Sequence, residues 1–450
     1  MSPQFTRWIA AALLVFACFV PRASGADAKP NVIFILSDDL GYGDVGCFGQ
    51  KLIKTPNIDK LAAEGMRFTD AYAGCTVCAP SRCTLMTGLH TGHTSIRGNR
   101  EIPPEGQEPM PADTFTVAKL MKQAGYTTGI IGKWGLGYPG STSTPDKMGF
   151  DYFFGYNCQA KAHEYYPEYL WRNDQKVMLN GSAYSHDLMA NDSLDFVRRN
   201  KDKPFFLYLA FTIPHQKIQV PDLGPYENES WPANLKKLAS MITRMDKDIG
   251  RLMALLKELN IDDNTLVFFA SDNGAAYSDK VFNHSGPLRG FKRDEYEGGL
   301  RSPSIARWPG KIKSGVVSQQ VWAFWDFLPT MAEFTGQKLP GKTDGISIMP
   351  ALMEGKVIEH PPLYFEFHER GFDQGARIGD WKAVRPALGQ PLELYDLKTD
   401  LGEQHNVAAE HPDVVKEFED YLAGARVDSP RWPITPRPAR NGGRRGGRGN

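Results

Sequence analysis

The sequence predicts an α/β fold: a large, mostly parallel mixed sheet sandwiched by helices, followed by a smaller α+β unit. Three observations carry this prediction. Short apolar runs alternate with helix-period stretches up to about residue 340. Four of those runs end in polar residues capable of chemistry. Beyond residue 340 the apolar runs are broken by closely spaced turns.

Residues 1–25 read as a signal peptide. Arg7 precedes the apolar run WIAAALLVFACFV, and PRASGA follows with small residues at Ala23 and Gly25. The run is short for a spanning helix, which needs about 20 residues. Cleavage near Gly25–Ala26 implies an exported chain, periplasmic or secreted, without an integral membrane segment.

Residues 30–340 carry the strand and helix alternation. NVIFIL, centred on 32–36, is a buried-strand run ending at Ser37-Asp38-Asp39. TTGIIG leads into Lys133, PFFLYLAF into Pro214-His215, and TLVFFA into Ser271-Asp272-Asn273. The clearest helix spans about 234–259, where Leu235, Leu238, Ile242, Met245, Ile249, Leu252, Leu256 and Leu259 recur at spacings of three and four. Residues 341–428 form the smaller unit: LYFEF, RIGDWKAVRP and LELYDLKTD read as short strands, with a helix near 412–424. Residues 429–450 are rich in Pro, Gly and Arg with little to bury, which predicts disorder. Their arginines either tether the chain to a surface or solvate the tail.

Formal charge is zero, but its distribution is uneven. Residues 431–450 hold six arginines and no acid. Without those, Arg7 and Arg22, 44 basic residues face 52 acidic ones. A mildly acidic folded region argues against nucleic acid as a partner. Five cysteines follow the leader, at 47, 75, 78, 83 and 158. The odd number leaves at least one unpaired or chemically altered, and Cys78 is the candidate.

In open α/β sheets, ligands bind outside the carboxyl ends of the strands. Asp38, Asp39, Lys133, His215, Asp272 and Asn273 are thus expected in one cleft. Three carboxylates and an amide oxygen suit a hard cation such as Ca2+ or Mg2+. Arg82, Lys133 and Lys292 would stabilise a tetrahedral oxyanion, and His215 would serve as general acid or base. Taken singly, each of these is more simply a turn residue, a salt bridge or a satisfied histidine. Together they point to a metal-dependent hydrolase acting on an anionic ester.

The run Cys78-Ala79-Pro80-Ser81-Arg82, completed by Thr87-Gly88, resembles the type I sulfatase signature C-x-P-S-R-x-x-x-x-T-G. NVIFILSDDLGYGDVGCFG, GKWGLG, SDNG and FKRDEYEGG resemble the other blocks of that family, in the same order. RIGDWKAVR and LYDLKTDLGEQHNVA resemble its C-terminal region, so the likeness covers about residues 31–425. The resemblance implies an alkaline phosphatase-like fold with a C-terminal antiparallel sheet. It also implies conversion of Cys78 to Cα-formylglycine by a formylglycine-generating enzyme, with Pro80 and Arg82 as recognition elements. In the family, one hydroxyl of the hydrated aldehyde attacks sulfur and expels the alcohol. The other then loses its proton, the carbonyl re-forms and sulfate leaves.

By the same resemblance, Asp38, Asp39, Asp272, Asn273 and residue 78 would bind Ca2+, or Mg2+. Arg82 would hold the diol, Lys133 and Lys292 the sulfate oxygens, and His215 would sit near the leaving group. The implied substrates are sulfated carbohydrates or aryl sulfates. One block departs from the family: G-K-W-H-L-G is Gly132-Lys133-Trp134-Gly135-Leu136-Gly137 here. Three readings follow: a histidine elsewhere substitutes, with His163 preferred and His93 second; or water or Lys133 acts as base; or the enzyme is slow or inactive. Tyr165, Tyr166 and Trp171, which follow His163, are either core aromatics or a wall for a sugar ring. Competing functions are a phosphate or phosphonate ester hydrolase of the same superfamily and a catalytically silent protein that binds sulfated glycans.

Overall fold

A computed structural model describes residues 29–436. The leader read at 1–25 and the arginine-rich tail beyond 436 lie outside them; within 429–436, expected to be disordered, Trp432 is instead buried in the large core and its indole N–H donates to the Ser95 carbonyl at 2.8 Å. Ten strands form one sheet in the order Val316–Ser318, Met66–Phe68, Ser304–Arg307, Thr265–Ser271, Asn31–Ser37, Phe205–Ala210, Thr127–Lys133, Tyr152–Tyr156, Tyr169–Arg172 and Gln175–Met178. The five strands from Thr265–Ser271 to Tyr152–Tyr156 pair in parallel. Antiparallel pairs flank them on both sides. The sheet is therefore mixed and mostly parallel at its centre, as the alternating pattern predicts.

The central strands read as unbroken apolar runs because both faces are covered. Val32, Phe34 and Leu36 enter one core with Ala79, Met86, Met121 and Phe327. Ile33 and Ile35 enter the other with Leu61, Met189, Phe196 and Ile242. Helices Cys78–Thr87, Val117–Gln123 and Phe327–Thr335 thus cover one face. Pro56–Ala63, Ser185–Asn200 and Ala233–Glu258 cover the other. Seven of the stripe residues expected on the long helix are buried: Leu235, Leu238, Ile242, Met245, Ile249, Leu252 and Leu256. Each large apolar side chain removed from water contributes about 1.5–3 kcal/mol. The eighth, Leu259, caps the helix and is only partly buried.

The smaller sheet runs Leu363–Phe367, Asp373–Ile378, Trp381–Arg385 and Glu393–Asp396, all antiparallel. Helix Pro412–Gly424 packs on it through Phe418 and Leu422. Two buried ion pairs, Lys382 to Glu297 at 3.0 Å and Arg97 to Glu366 at 2.9 Å, and a partly buried one, Arg377 to Asp70 at 2.7 Å, join this sheet to the larger body. Ile348 and Leu352 of the connecting segment pack into the large core. Among the described residues, no helix is long and apolar enough to cross a membrane.

Candidate active site

The parallel register sets the site. Ser37 lies beside Ser271, and Leu36 beside Ala210. Asp38 and Asp272 therefore leave neighbouring strands at the same level. The backbone N–H of Asp272 donates to the Ser37 carbonyl, and that of Asp38 to the Ile213 carbonyl, both at 3.0 Å. Lys133 ends the next strand but one. Asp39 has a φ of 66°. This left-handed geometry costs an L-residue about 1–2 kcal/mol, and Asp is among the few that visit it routinely.

Helix Cys78–Thr87 brings in the rest. Cys78 is its first residue, so the amide dipoles at that end favour an anion beside it. Gly88, in the left-handed region at φ 71°, ends the helix. The Cys78 Sγ lies 3.4 Å from Asp38 Oδ1 and 3.6 Å from Lys292 Nζ. One turn on, Arg82 donates twice to Asp272 Oδ2, at 3.0 and 2.7 Å, and once to the Lys133 carbonyl at 3.0 Å. Lys133 Nζ donates to Asp38 at 2.6 Å, and Lys292 Nζ to both oxygens of Asp39 at 2.6 and 2.7 Å.

Three carboxylates and three cations thus share a buried centre. Burial alone would raise Asp38, but Lys133, with His215, Arg82 and Lys292, more than offsets it and holds the carboxyl well below the usual range. Asp39 is likewise held low against burial, chiefly by Lys292. Burial, followed by the charge on Asp38, pushes Asp272 up to about 6 despite Arg82. Burial and Asp38 also push the Cys78 thiol far above its ordinary range. An unmodified Cys78 is therefore a poor nucleophile, since thiolate and not thiol attacks.

The donor set fits a hard divalent cation. Asp38, Asp39, Cys78 and His215 offer ligand atoms within 4.8 Å of one another. Asn273 uses its amide hydrogens on Asp39 Oδ1, at 2.8 Å, and on the Gly274 carbonyl. Its Oδ1 is buried with no hydrogen-bond partner, which is the acceptor a cation would occupy.

His215 presents Nε2 to Asp39 Oδ2 at 3.3 Å, while Nδ1 lies 2.6 Å from the Gln216 carbonyl. Assigning the hydrogen to Nδ1 leaves Nε2 toward the centre. The hydroxyl of Tyr165 donates to the Thr212 and His215 carbonyls, and that of Tyr277 to the Pro214 carbonyl. Tyr165 is fully buried, so it belongs to the core alternative and props the His215 loop. Trp171 is half-buried at the sheet edge, its indole bound to Glu105 at 2.6 Å.

His163 stacks on His215 with ring centroids 4.3 Å apart. His93 instead stacks on His90 and bonds Asp344 at 2.9 Å, in a separate cluster. Cys75 and Cys83 do not pair; Cys75 bonds the Glu366 carbonyl and Cys83 meets Thr94. Sequence reading missed Gln159, whose carboxamide lies against Gly135. As a neutral loop residue it carries no catalytic signal, and only its place in CQAKAH, beside His163, pointed toward it.

Residues 30–337 match the family model described as Sulfatase, and 290–428 match the N-sulphoglucosamine sulphohydrolase C-terminal model. The N-acetylgalactosamine-6-sulfatase of Sus scrofa is 33% identical over 406 residues, covering 84% of this chain and 75% of that protein. The N-acetylgalactosamine-6-O-sulfatase of Bacteroides thetaiotaomicron is 30% identical, covering 89% and 93%. The crystal structure of Ps i-CgsB superposes with a TM-score of 0.80 at 31% identity, covering 90% of this chain and 95% of that one. The phosphonate monoester hydrolase of Agrobacterium radiobacter, at 20% identity and a TM-score of 0.64, shares the fold. With the signature helix at the carboxyl ends of the central strands and these matches along nearly the whole described chain, the protein belongs to the sulfatase family and is a sulfuric ester hydrolase.

Proposed function

We propose that the chain removes sulfate from saccharide sulfate monoesters, using residue 78 as formylglycine and a divalent cation of the calcium type. One observation carries this reading. The first residue of helix Cys78–Thr87 sits 3.4 Å from Asp38 and 3.6 Å from Lys292, with Arg82 and Lys133 closing the same centre. The saccharide class is supported by relatives named for N-acetylgalactosamine sulfates and by Ps i-CgsB in complex with k-i-k-neocarrahexaose.

Asp38, Asp39, Asp272, Asn273 and residue 78 would hold the cation, which supplies Lewis-acid charge to a sulfate oxygen and acidifies the attacking hydroxyl. The hydrated aldehyde supplies two hydroxyls on one carbon, so the product sulfate can leave without water attacking an ester. Arg82, anchored on Asp272 and the Lys133 carbonyl, fixes the helix end that carries residue 78. Lys133 and Lys292 bring fixed positive charge to the sulfate oxygens. His215 Nε2 faces the centre and, once the ring is protonated there, would pass that proton to the departing alcohol oxygen. His163, stacked on His215, is the candidate to accept the proton from the diol; burial, then His215 and Lys133, pushes it down to about 3, which keeps the ring neutral but makes it a weak base. Export through the leader at 1–25 belongs to the same proposal.

Mass spectrometry of the tryptic peptide around residue 78 tests the nucleophile: conversion removes the sulfur and two hydrogens and adds an oxygen. Fully active protein with an unmodified Cys78 would overturn it. Turnover of aryl sulfate, aryl phosphate and defined sulfated saccharides tests the ester. Faster release of phosphate than sulfate would move the assignment to the phosphate or phosphonate class.

A further inference from the structure

Gln159 is buried, and both its Nε2 and Oε1 lack any hydrogen-bond partner. A buried carboxamide with neither end paired is rare in a folded protein and points to a missing ligand or water. A Cβ built on Gly135 would lie 2.8 Å from Nε2, 2.8 Å from Oε1 and 3.0 Å from Cδ. Cδ is the farthest of the three, so the nitrogen–oxygen end of the carboxamide leans toward the space that Gly135 leaves open. Only a residue without a side chain leaves this space, and φ at 135 is +70°, which also favours glycine.

The segment carrying Gln159 is tied at both ends to residues beside the centre. It begins where the Gly135 N–H donates to the Asn157 carbonyl at 3.0 Å, two residues beyond Lys133. It ends where His163 stacks on His215. Gln159 lies between these two anchors. Its burial is no bar to a substrate contact, because Cys78 is itself only 1% exposed.

We infer that Gln159 is a substrate-binding residue that reads two neighbouring oxygens of the sugar beside the sulfate ester, at least one of them a hydroxyl. The inference rests on the proposed hydrolysis of saccharide sulfates. Sulfate oxygens only accept hydrogen bonds, and Lys133 and Lys292 already offer donors for them. Sulfate alone would leave Oε1 unpaired. A vicinal oxygen pair satisfies both ends: a hydroxyl donates to Oε1, and its neighbour accepts from Nε2. The space at Gly135 is thus used for recognition, and the proton work falls to His163 and His215.

The test compares wild type with Gln159→Leu, an apolar near-isostere, and Gln159→Glu, which keeps the acceptor and loses the donor. Each is assayed on 4-nitrophenyl sulfate, which carries no hydroxyl, and on the best substrate from a panel of monosulfated galactose, N-acetylgalactosamine and glucosamine saccharides. The deoxy analogue of that saccharide, lacking the hydroxyl next to the sulfated carbon, completes a double cycle. The expected result is a loss of kcat/KM on the saccharide that exceeds the loss on the aryl sulfate by tenfold or more. Removing the hydroxyl then adds little to the Gln159→Leu variant. Equal losses on both substrates, or none on either, would overturn the recognition role while leaving the sulfatase reading intact. Wild-type protein with residue 78 converted and calcium present that cleaves neither sulfate would overturn both.

Discussion

The imidazole of His163 lies flat on that of His215, with ring centroids 4.3 Å apart and planes 13° from parallel. His215 in turn faces Asp39 at 3.3 Å. The stack brings a second imidazole to the centre from a different loop. His163→Ala is expected to lower kcat by about a hundredfold, the lower range for loss of a general base. His163→Phe keeps a stacked ring without a nitrogen and should be equally slow. His93→Ala should remain near wild type, because His93 belongs to the cluster with His90 and Asp344. Wild-type kcat in His163→Phe would remove His163 as the base.

The strand ends were legible because burial on both faces leaves a continuous apolar run that stops abruptly at polar residues. Val32 to Leu36 against Asp38-Asp39 and Leu266 to Ala270 against Asp272-Asn273 are the clearest cases. Parallel register then turns a sequence coincidence into one cluster. The His163–His215 stack was anticipated only as a choice between histidines. It depends on how two irregular loops close, and no periodicity encodes that. Gln159 carries no signal of its own in the sequence beyond its place in CQAKAH, near His163. Its role comes from a backbone contact between Gly135 and Asn157 and from the absence of a side chain at 135. Tyr165 read equally as core or sugar wall, since an aromatic residue in a loop signals only that something covers it.

Calcium should stabilise chelator-treated protein. The centre concentrates Asp38, Asp39 and Asp272, and burial with Asp38 leaves Asp272 raised to about 6. A ligand that binds only the folded state at a hundred times its Kd adds about 2.7 kcal/mol. Tm measured across a calcium titration should rise and saturate. Asn273→Ala, which deletes the unpaired Oδ1, should shift that titration to at least tenfold higher calcium. A Tm indifferent to both Ca2+ and Mg2+ would count against a cation at this site.

His284 predicts a pH dependence of stability away from the centre. Its ring bonds Asp44 through Nδ1 and Asp279 through Nε2, the latter at 2.6 Å. Burial works against the imidazolium, but Asp44 and then Asp279 outweigh it and raise the pKa from 6.5 to about 9. A folded pKa above the unfolded one gives stability that is complete below about pH 6.5 and is lost as pH rises through 9. The shift corresponds to roughly 3 kcal/mol at about 1.36 kcal/mol per unit. Urea unfolding of wild type and His284→Gln should therefore differ most near pH 6 and converge above pH 9. A gap that stays constant across this range would mean that His284 is neutral in the folded protein.

Gly135 and Gln159 should behave as one unit in stability. A methyl group at 135 meets the Gln159 carboxamide at 2.8 Å, and the φ of +70° is unfavourable for any L side chain. Overpacking of this kind costs about 1–3 kcal/mol, and the backbone strain about 1–2 kcal/mol. Gly135→Ala alone should then lose about 2–5 kcal/mol. Gln159→Ala removes the clash but leaves the strain, so the double variant should recover the overpacking part, about 1–3 kcal/mol. Gln159→Ala in the wild-type background should cost little, because its polar ends bond nothing within the protein. Denaturant midpoints of the four proteins measure the coupling. Strict additivity would show that the carboxamide yields freely, and the close fit at Gly135 would then have no energetic content.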